Sequence, residues 1–212
     1  MSQAKSGSQV LLVNGLATAS LVNPEREGEL WGESQTTTLK MTGLREPVVV
    51  IGVGSGFHLA ALRSKLRAAG HTGAIAAIDT CEASIEFAMS RVPGIDYVHA
   101  QCDCGADQFV ARSDISSWVL QPFTLLRHKP TYLRNGASLR QIESWLLGRT
   151  PEAFSAQLKL RPQIAAGLNA DRARKIAECS LVSIRDLSKA WDISSELKTD
   201  RRLFRILEEL VR

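Results

Sequence analysis

Four consecutive β-branched residues, Val48-Val49-Val50-Ile51, run directly into Gly52-Val53-Gly54-Ser55-Gly56. An unbroken apolar run has no wet face, so the strand it predicts is covered on both sides, as in a parallel sheet flanked by helices. Leu59, Leu62 and Leu66 then recur at helical spacing and predict a helix over 57–69, with Gly70 suited to its end. The alternation repeats. Residues 74–78 predict a second apolar strand closed by Asp79, 81–90 a second helix and 97–100 a third strand. This order predicts an α/β fold built on a Rossmann-like, mostly parallel sheet.

The flanks are less regular. Segments 10–13 and 16–22 surround Asn14-Gly15, a dipeptide that tolerates positive φ at both centres of a tight turn, and predict a small opening β-hairpin. Asn23-Pro24 breaks it, and 25–39 reads as a helix whose early Glu25, Glu27 and Glu29 favour the positive end of its dipole. Trp118, Val119 and Leu120 suggest a fourth strand stopped by Gln121-Pro122. From Ser138 onward the pattern predicts helices alone: 139–147, 151–160, 162–179, 184–191 and a last one from Asp200. In that last helix Leu203, Ile206, Leu207, Leu210 and Val211 form one apolar stripe that must bury against the protein's own core or, as the lesser choice, a partner protein. The predicted division is a hairpin plus Rossmann-like domain over 1–137 and a helical C-terminal subdomain over 138–212.

Composition sets the outer limits. With 44% apolar and 23% charged residues in 212, the chain can bury a core and is not a disordered tail. No apolar run reaches the length of a membrane span. The triplet Ala17-Thr18-Ala19 imitates a secretory cleavage site, but Asn14 and Gly15 interrupt the apolar stretch before it. Cys81, Cys102, Cys104 and Cys179 are too few and too unevenly spaced for a disulfide framework, which points to a reducing, cytoplasmic setting. The net charge of +4 demands no polyanionic partner. One local excess stands out: Arg127, Lys129, Arg134, Arg140 and Arg149 against Glu143 alone, a stretch that either meets an anionic ligand or is a solvated surface.

A loop between a buried strand and a helix can hold an anion or nucleoside, because the helix N-terminus presents unpaired N–H groups. Gly52 permits the sharp exit, Gly54 clears the approach and Gly56 allows close contact with the helix. A dinucleotide fingerprint would need a glycine where Phe57 stands. The G-x-G-x-G spacing with Asp79 closing the next strand is similar instead to the loop of S-adenosylmethionine-dependent methyltransferases. That resemblance implies Asp79 on the ribose hydroxyls and Asp103 near the adenine edge; Phe57 and His58, which follow the loop, either adjoin the ligand or fill the pocket of a turn kept for packing alone.

A second resemblance covers about residues 8–135. Ser20, Asn23, Pro24 and Glu27 before the first helix, followed by Gly52, Gly54, Gly56 and His58, match motifs of the N-terminal region of the motility-associated-factor family. Gly28 replaces an alanine of the pattern and Phe57 a tyrosine. Pro122, Leu126, Pro130 and Tyr132 vaguely resemble a later proline-rich stretch. These bacterial glycosyltransferases add nonulosonic sugars to flagellin. Their transfer chemistry sits in a larger central domain that has no counterpart in the sequence, so no catalytic residue carries over. The resemblance implies a nucleotide- or nucleoside-binding module standing as an accessory or relic of a transferase.

Other constellations are weaker. His99, Cys102, Asp103 and Cys104 include ligand types that zinc accepts, but Cys-x-Cys on a strand end splays its thiols and no second pair lies at a useful distance, so no metal site is expected. His71 and His128 show no partner. Asp103, His99 and His58 are the only acid–base candidates by placement, and none has a discernible orienting group, so catalysis is not assigned. Residues 184–194 resemble the first half of a helix-turn-helix, followed by Lys198, Arg201, Arg202 and Arg205, which could neutralise phosphates. The turn lacks its usual glycine, and a plain helical subdomain is preferred over DNA binding. The leading expectation is a small nucleoside-type ligand on Gly52, Gly54, Gly56, Phe57, His58, Asp79 and Asp103. The alternatives are a small methyltransferase using S-adenosylmethionine and a DNA-binding regulator.

Overall fold

The computed structural model describes residues 1–39, 45–101, 103–134 and 136–160. The fold is α/β. Strands β5 (Val48–Ile51), β6 (Ile75–Asp79), β7 (Asp96–His99) and β8 (Thr124–Arg127) form one all-parallel sheet in the order β7-β6-β5-β8. Two small antiparallel pairs precede it: β1 (Ser2–Gln3) with β2 (Gln9–Val10), and β3 (Leu12–Val13) with β4 (Leu16–Ala17). The tight turn between β3 and β4 is the expected one, with Asn14 at φ 51° and Gly15 at φ 77°. The pairing of β1 with β2 goes beyond the expected hairpin.

Every residue of β5 and β6 is buried. Alternate side chains point to opposite faces, so the apolar run supplies two cores at once. Val49, Ile51, Ala76 and Ile78 pack on helices α4 (Gly105–Ala111), α5 (Ser113–Val119), α7 (Gly136–Leu146) and α8 (Pro151–Lys159). Val48, Val50, Ile75 and Ala77 pack on α2 (Phe57–Ala68) and α3 (Glu82–Met89), with Leu39 of α1 (Pro24–Leu39) at the margin. Each such side chain withdrawn from water is worth roughly 1.5–3 kcal/mol, which explains the insistence on Val and Ile. The first helices of the expected C-terminal part belong to the first of these cores, through Leu139, Ile142, Trp145, Leu146, Ala153 and Ala156.

One expected strand is corrected. Trp118 and Val119 end helix α5, and the fourth strand is Thr124–Arg127, beyond Pro122. Ile115, Trp118 and Val119 are buried together at the i, i+3, i+4 spacing of one helix face, a period that three adjacent apolar residues disguise. Helix α6 (Lys129–Arg134) follows β8 and was not foreseen. The helices expected beyond residue 160, the helix-turn-helix-like segment 184–194 and the stripe from Leu203 to Val211 lie outside the described residues, as does Cys102. No helix among the described residues is long and apolar enough to cross a membrane.

Candidate functional site

In an open parallel sheet, ligands collect at the carboxyl ends of the strands, where successive connections leave in opposite directions. Here that point lies between β5 and β8, and the glycine loop sits on it.

The loop is held on every side by the chain itself. Gly52, Gly54 and Gly56 all take positive φ, at 96°, 51° and 79°. A Cβ on Gly54 would stand 2.8 Å from Thr131 Oγ1 of α6 and 3.0 Å from the Thr18 carbonyl oxygen. One on Gly52 would meet Thr131 Cβ at 3.0 Å, and one on Gly56 would meet Ala88 Cβ of α3 at 3.0 Å. Ser55, between them, is buried: its Oγ accepts from the Leu11 N–H at 3.0 Å. Thr18 Oγ1 donates to the Leu11 carbonyl at 3.0 Å, so the Ser55 hydroxyl donates to Thr18. The segment joining β2 to β4 therefore forms a roof over the loop.

Asp79 lies at the end of β6, 0% exposed. Its Oδ2 accepts from the Val53 N–H at 2.7 Å and, at 3.4 Å, from Gly54; its Oδ1 accepts from Cys81 at 3.0 Å. Burial raises its pKa above the ordinary carboxyl range, while these backbone N–H groups oppose the rise. The carboxylate thus ties the glycine loop to the start of α3.

His58, one residue into α2, is buried, and its Nε2 donates to the Gly52 carbonyl at 3.0 Å. A carbonyl can only accept, so the proton sits on Nε2. Its ring stacks on His128, centroids 3.6 Å apart and planes within 1°, and Trp31 of α1 meets both rings edge-on at 5.1 and 5.9 Å. His128 Nδ1 pairs with Thr131 Oγ1 at 2.8 Å. Burial, followed by the neighbouring His128, pushes the His58 pKa well below 6.5; burial, followed by Arg134, pushes that of His128 down to about 4.

The seven expected site residues therefore divide. Gly52, Gly54, Gly56, His58 and Asp79 share one closed junction. Phe57 is half-buried on the outer side of the loop, facing a groove between α1 and α2 that Glu25, Glu29, Ala60 and Ser64 also line. Asp103 is exposed in the connection between β7 and α4. Trp31, His128, Thr131 and Thr18 join the junction without having been assigned to it, because each reaches it from a distant part of the chain, and Ser55 joins it from within the loop, where its small polar side chain gave no sign of a role.

The basic stretch behaves differently. Glu143, buried on α7, receives Arg127 through two hydrogen bonds, Arg149 at 3.3 Å and the Tyr132 hydroxyl at 2.7 Å. The Arg127 contact is the main reason the Glu143 carboxyl is held below its usual range. The anion that meets Arg127 and Arg149 is thus part of the same chain. His99 Nε2 lies 3.3 Å from the Thr80 carbonyl oxygen, and Cys104 Sγ donates to the Gln101 carbonyl. Among the described residues no three His, Cys, Asp or Glu are grouped so as to hold a metal ion.

Set beside family models, curated proteins and solved structures, the chain matches none of them.

Proposed function

We propose that the chain is a nucleotide- or nucleoside-binding Rossmann-like module, akin to the N-terminal part of the motility-associated-factor glycosyltransferases. The observation that carries this reading is the packing of the two resembling segments on each other. Asn23 caps helix α1 and Ser20 fixes the turn before it: Asn23 Oδ1 accepts from Arg26, Ser20 Oγ accepts from the N–H groups of Val22 and Asn23, and Glu27 returns to the Ser20 N–H at 2.7 Å. One residue later, Gly28 lies where a Cβ would be 2.7 Å from the Phe57 carbonyl group and 3.0 Å from the His58 nitrogen. Segment 20–28 thus seats α1 on the glycine loop and makes the two resembling segments neighbours in space, which supports the reading, although the contact runs through Gly28, where the family pattern has an alanine whose Cβ this packing would not admit.

Because the glycine junction is filled by Thr18, Thr131 and Ala88, the ligand on this reading lies beside it, over the carboxyl ends of β6 and β7. Thr80, Cys81, His99 and Asp103 keep exposed surface there. The glycines and Asp79 form the rigid floor. The methyltransferase reading draws less support, since Asp79 is 0% exposed beneath the glycine loop and turns no open edge toward two ribose hydroxyls.

Thermal unfolding of the full chain with CMP, cytidine, NAD and S-adenosylhomocysteine, side by side, tests the reading. CMP and cytidine should raise the midpoint, and Asp103→Ala should reduce that gain while leaving the midpoint of the free protein unchanged. A shift with S-adenosylhomocysteine alone transfers the case to the methyltransferase reading. No shift with any of the four removes the nucleoside.

A further inference from the structure

Away from the glycine junction, helix α2 and the turn after α3 form an open groove of about 270 Å³ lined by Ala60, Arg63, Ser64, Arg67, Arg91 and Val92. Three of its six lining residues are arginines and none is acidic, whereas the adjoining groove between α1 and α2, which shares Ala60 and Ser64, carries Glu25, Glu29 and Glu33. Arg63 and Arg67 stand four residues apart on one face of α2, where like charges repel. Arg91 comes from the turn after α3. None of the ion pairs among the described residues involves these arginines, and Arg63 is half-buried all the same.

Two of the three have a local anchor. The Arg91 guanidinium lies over the rings of Phe87 and Phe57, at 4.4 and 5.0 Å from their centroids, which fixes its place by cation–π attraction and leaves its N–H edge free for an acceptor. Arg67 donates to the His71 carbonyl at 2.7 Å at the C-terminal end of α2, where the helix dipole favours a cation. Arg63 has neither kind of support. The turn that carries Arg91 is itself held, since the Tyr97 hydroxyl donates to the Val92 carbonyl at 3.0 Å. Ser64 adds a hydroxyl between the two α2 arginines.

We infer that this groove is a binding site for a compact phosphorylated anion, distinct from the nucleoside site proposed above and independent of it. Planar guanidinium forks match phosphoryl oxygens bidentately, and three of them around one concavity suit a short multivalent ligand such as a di- or triphosphate chain. A nucleic-acid backbone would ask instead for an extended basic stripe. Bound phosphate would relieve the repulsion between Arg63 and Arg67 and give Arg63 the counter-charge it lacks.

The test is titration of the full chain with inorganic tripolyphosphate, which contains no nucleoside, followed by calorimetry and thermal unfolding. Wild type should bind, with affinity falling as salt rises. Arg63→Gln and Arg91→Gln should each weaken binding about tenfold or more, while Arg26→Gln, in the first turn of α1 and paired with Glu29 outside the groove lining, should not. Circular dichroism of the two groove variants checks that the fold persists. Equal affinity in wild type and in the Arg63→Gln/Arg91→Gln double variant would overturn the site. So would the absence of tripolyphosphate binding, including a result in which only anionic phospholipid vesicles or duplex DNA bind.

Discussion

A Cβ on Gly28 would stand 2.7 Å from backbone atoms of Phe57, which cannot swing aside as a side chain can. Replacing a mid-helix glycine with alanine ordinarily gains about 1 kcal/mol of helix propensity. Overpacking against fixed backbone costs about 1–3 kcal/mol. The second effect wins here, so Gly28→Ala should lower the urea midpoint, and by more than Gly70→Asn at the end of α2, where open space leaves only the cost of holding φ 83°. Equal midpoints for Gly28→Ala and wild type would mean that α1 is not seated as described. The spacing of Gly52, Gly54 and Gly56 was readable as a turn between strand and helix. What fills the turn was not, because Thr18 and Thr131 arrive from opposite ends of the described chain. The same holds for Asp79: its position closing β6 was legible, but its engagement by Val53 and Cys81 depends on the orientation of two loops. A bulky substitution at Gly54 is accordingly a test of folding, not of binding.

Helix α1 owes its entry angle to side chains that precede it. Asn23 Oδ1 accepts from the Arg26 N–H at 2.9 Å, Pro24 occupies the first helical position, where no N–H is missed, and Glu27 reaches back to Ser20. Asn23→Ala should cost about 1 kcal/mol of stability, measured by urea unfolding, and Asn23→Ser should restore most of it. A cap of this kind is spelled out locally, and the start of α1 was placed to within a residue. Strands β5 and β6 were likewise legible, because buried parallel strands are continuous apolar runs, while edge strand β7, with Val98 alone buried, was legible from its place in the strand–helix alternation. Helix α5 and strand β8 were not. Trp118 and Val119 satisfy a strand's preference for bulky residues as well as a helix's buried face, and only Ile115, one turn earlier, distinguishes the two. Helix α6, six residues long, has too few turns to leave a period.

The sheet order and its two apolar faces bring together residues that share no local pattern, and the stacked His58 and His128 show what this does to charge. Both are neutral in the folded protein, with pKa values pushed below 6.5, that of His128 down to about 4. Between those limits the unfolded chain binds protons that the folded chain refuses, so stability is intact at neutral pH and is lost as pH falls below about 6.5. For His128 alone the loss approaches the order of 3 kcal/mol near pH 4. Asp79, raised by burial, works in the opposite sense toward the acid end and offsets part of it. Urea midpoints measured from pH 7 to 4.5 should decline, and His128→Gln should flatten the decline; an unchanged slope in that variant would show that the pair does not govern acid sensitivity. The strand order carries one more implication. Central β5 bonds on one side to β6, made soon after it, and on the other to β8, which follows only after α2, β6, α3, β7, α4 and α5. A ribosome-bound chain halted before Thr124 must leave one flank of its middle strand unzipped, with Thr131 still untranslated, so a nascent protein of that length would sit open to proteases until β8 itself had emerged.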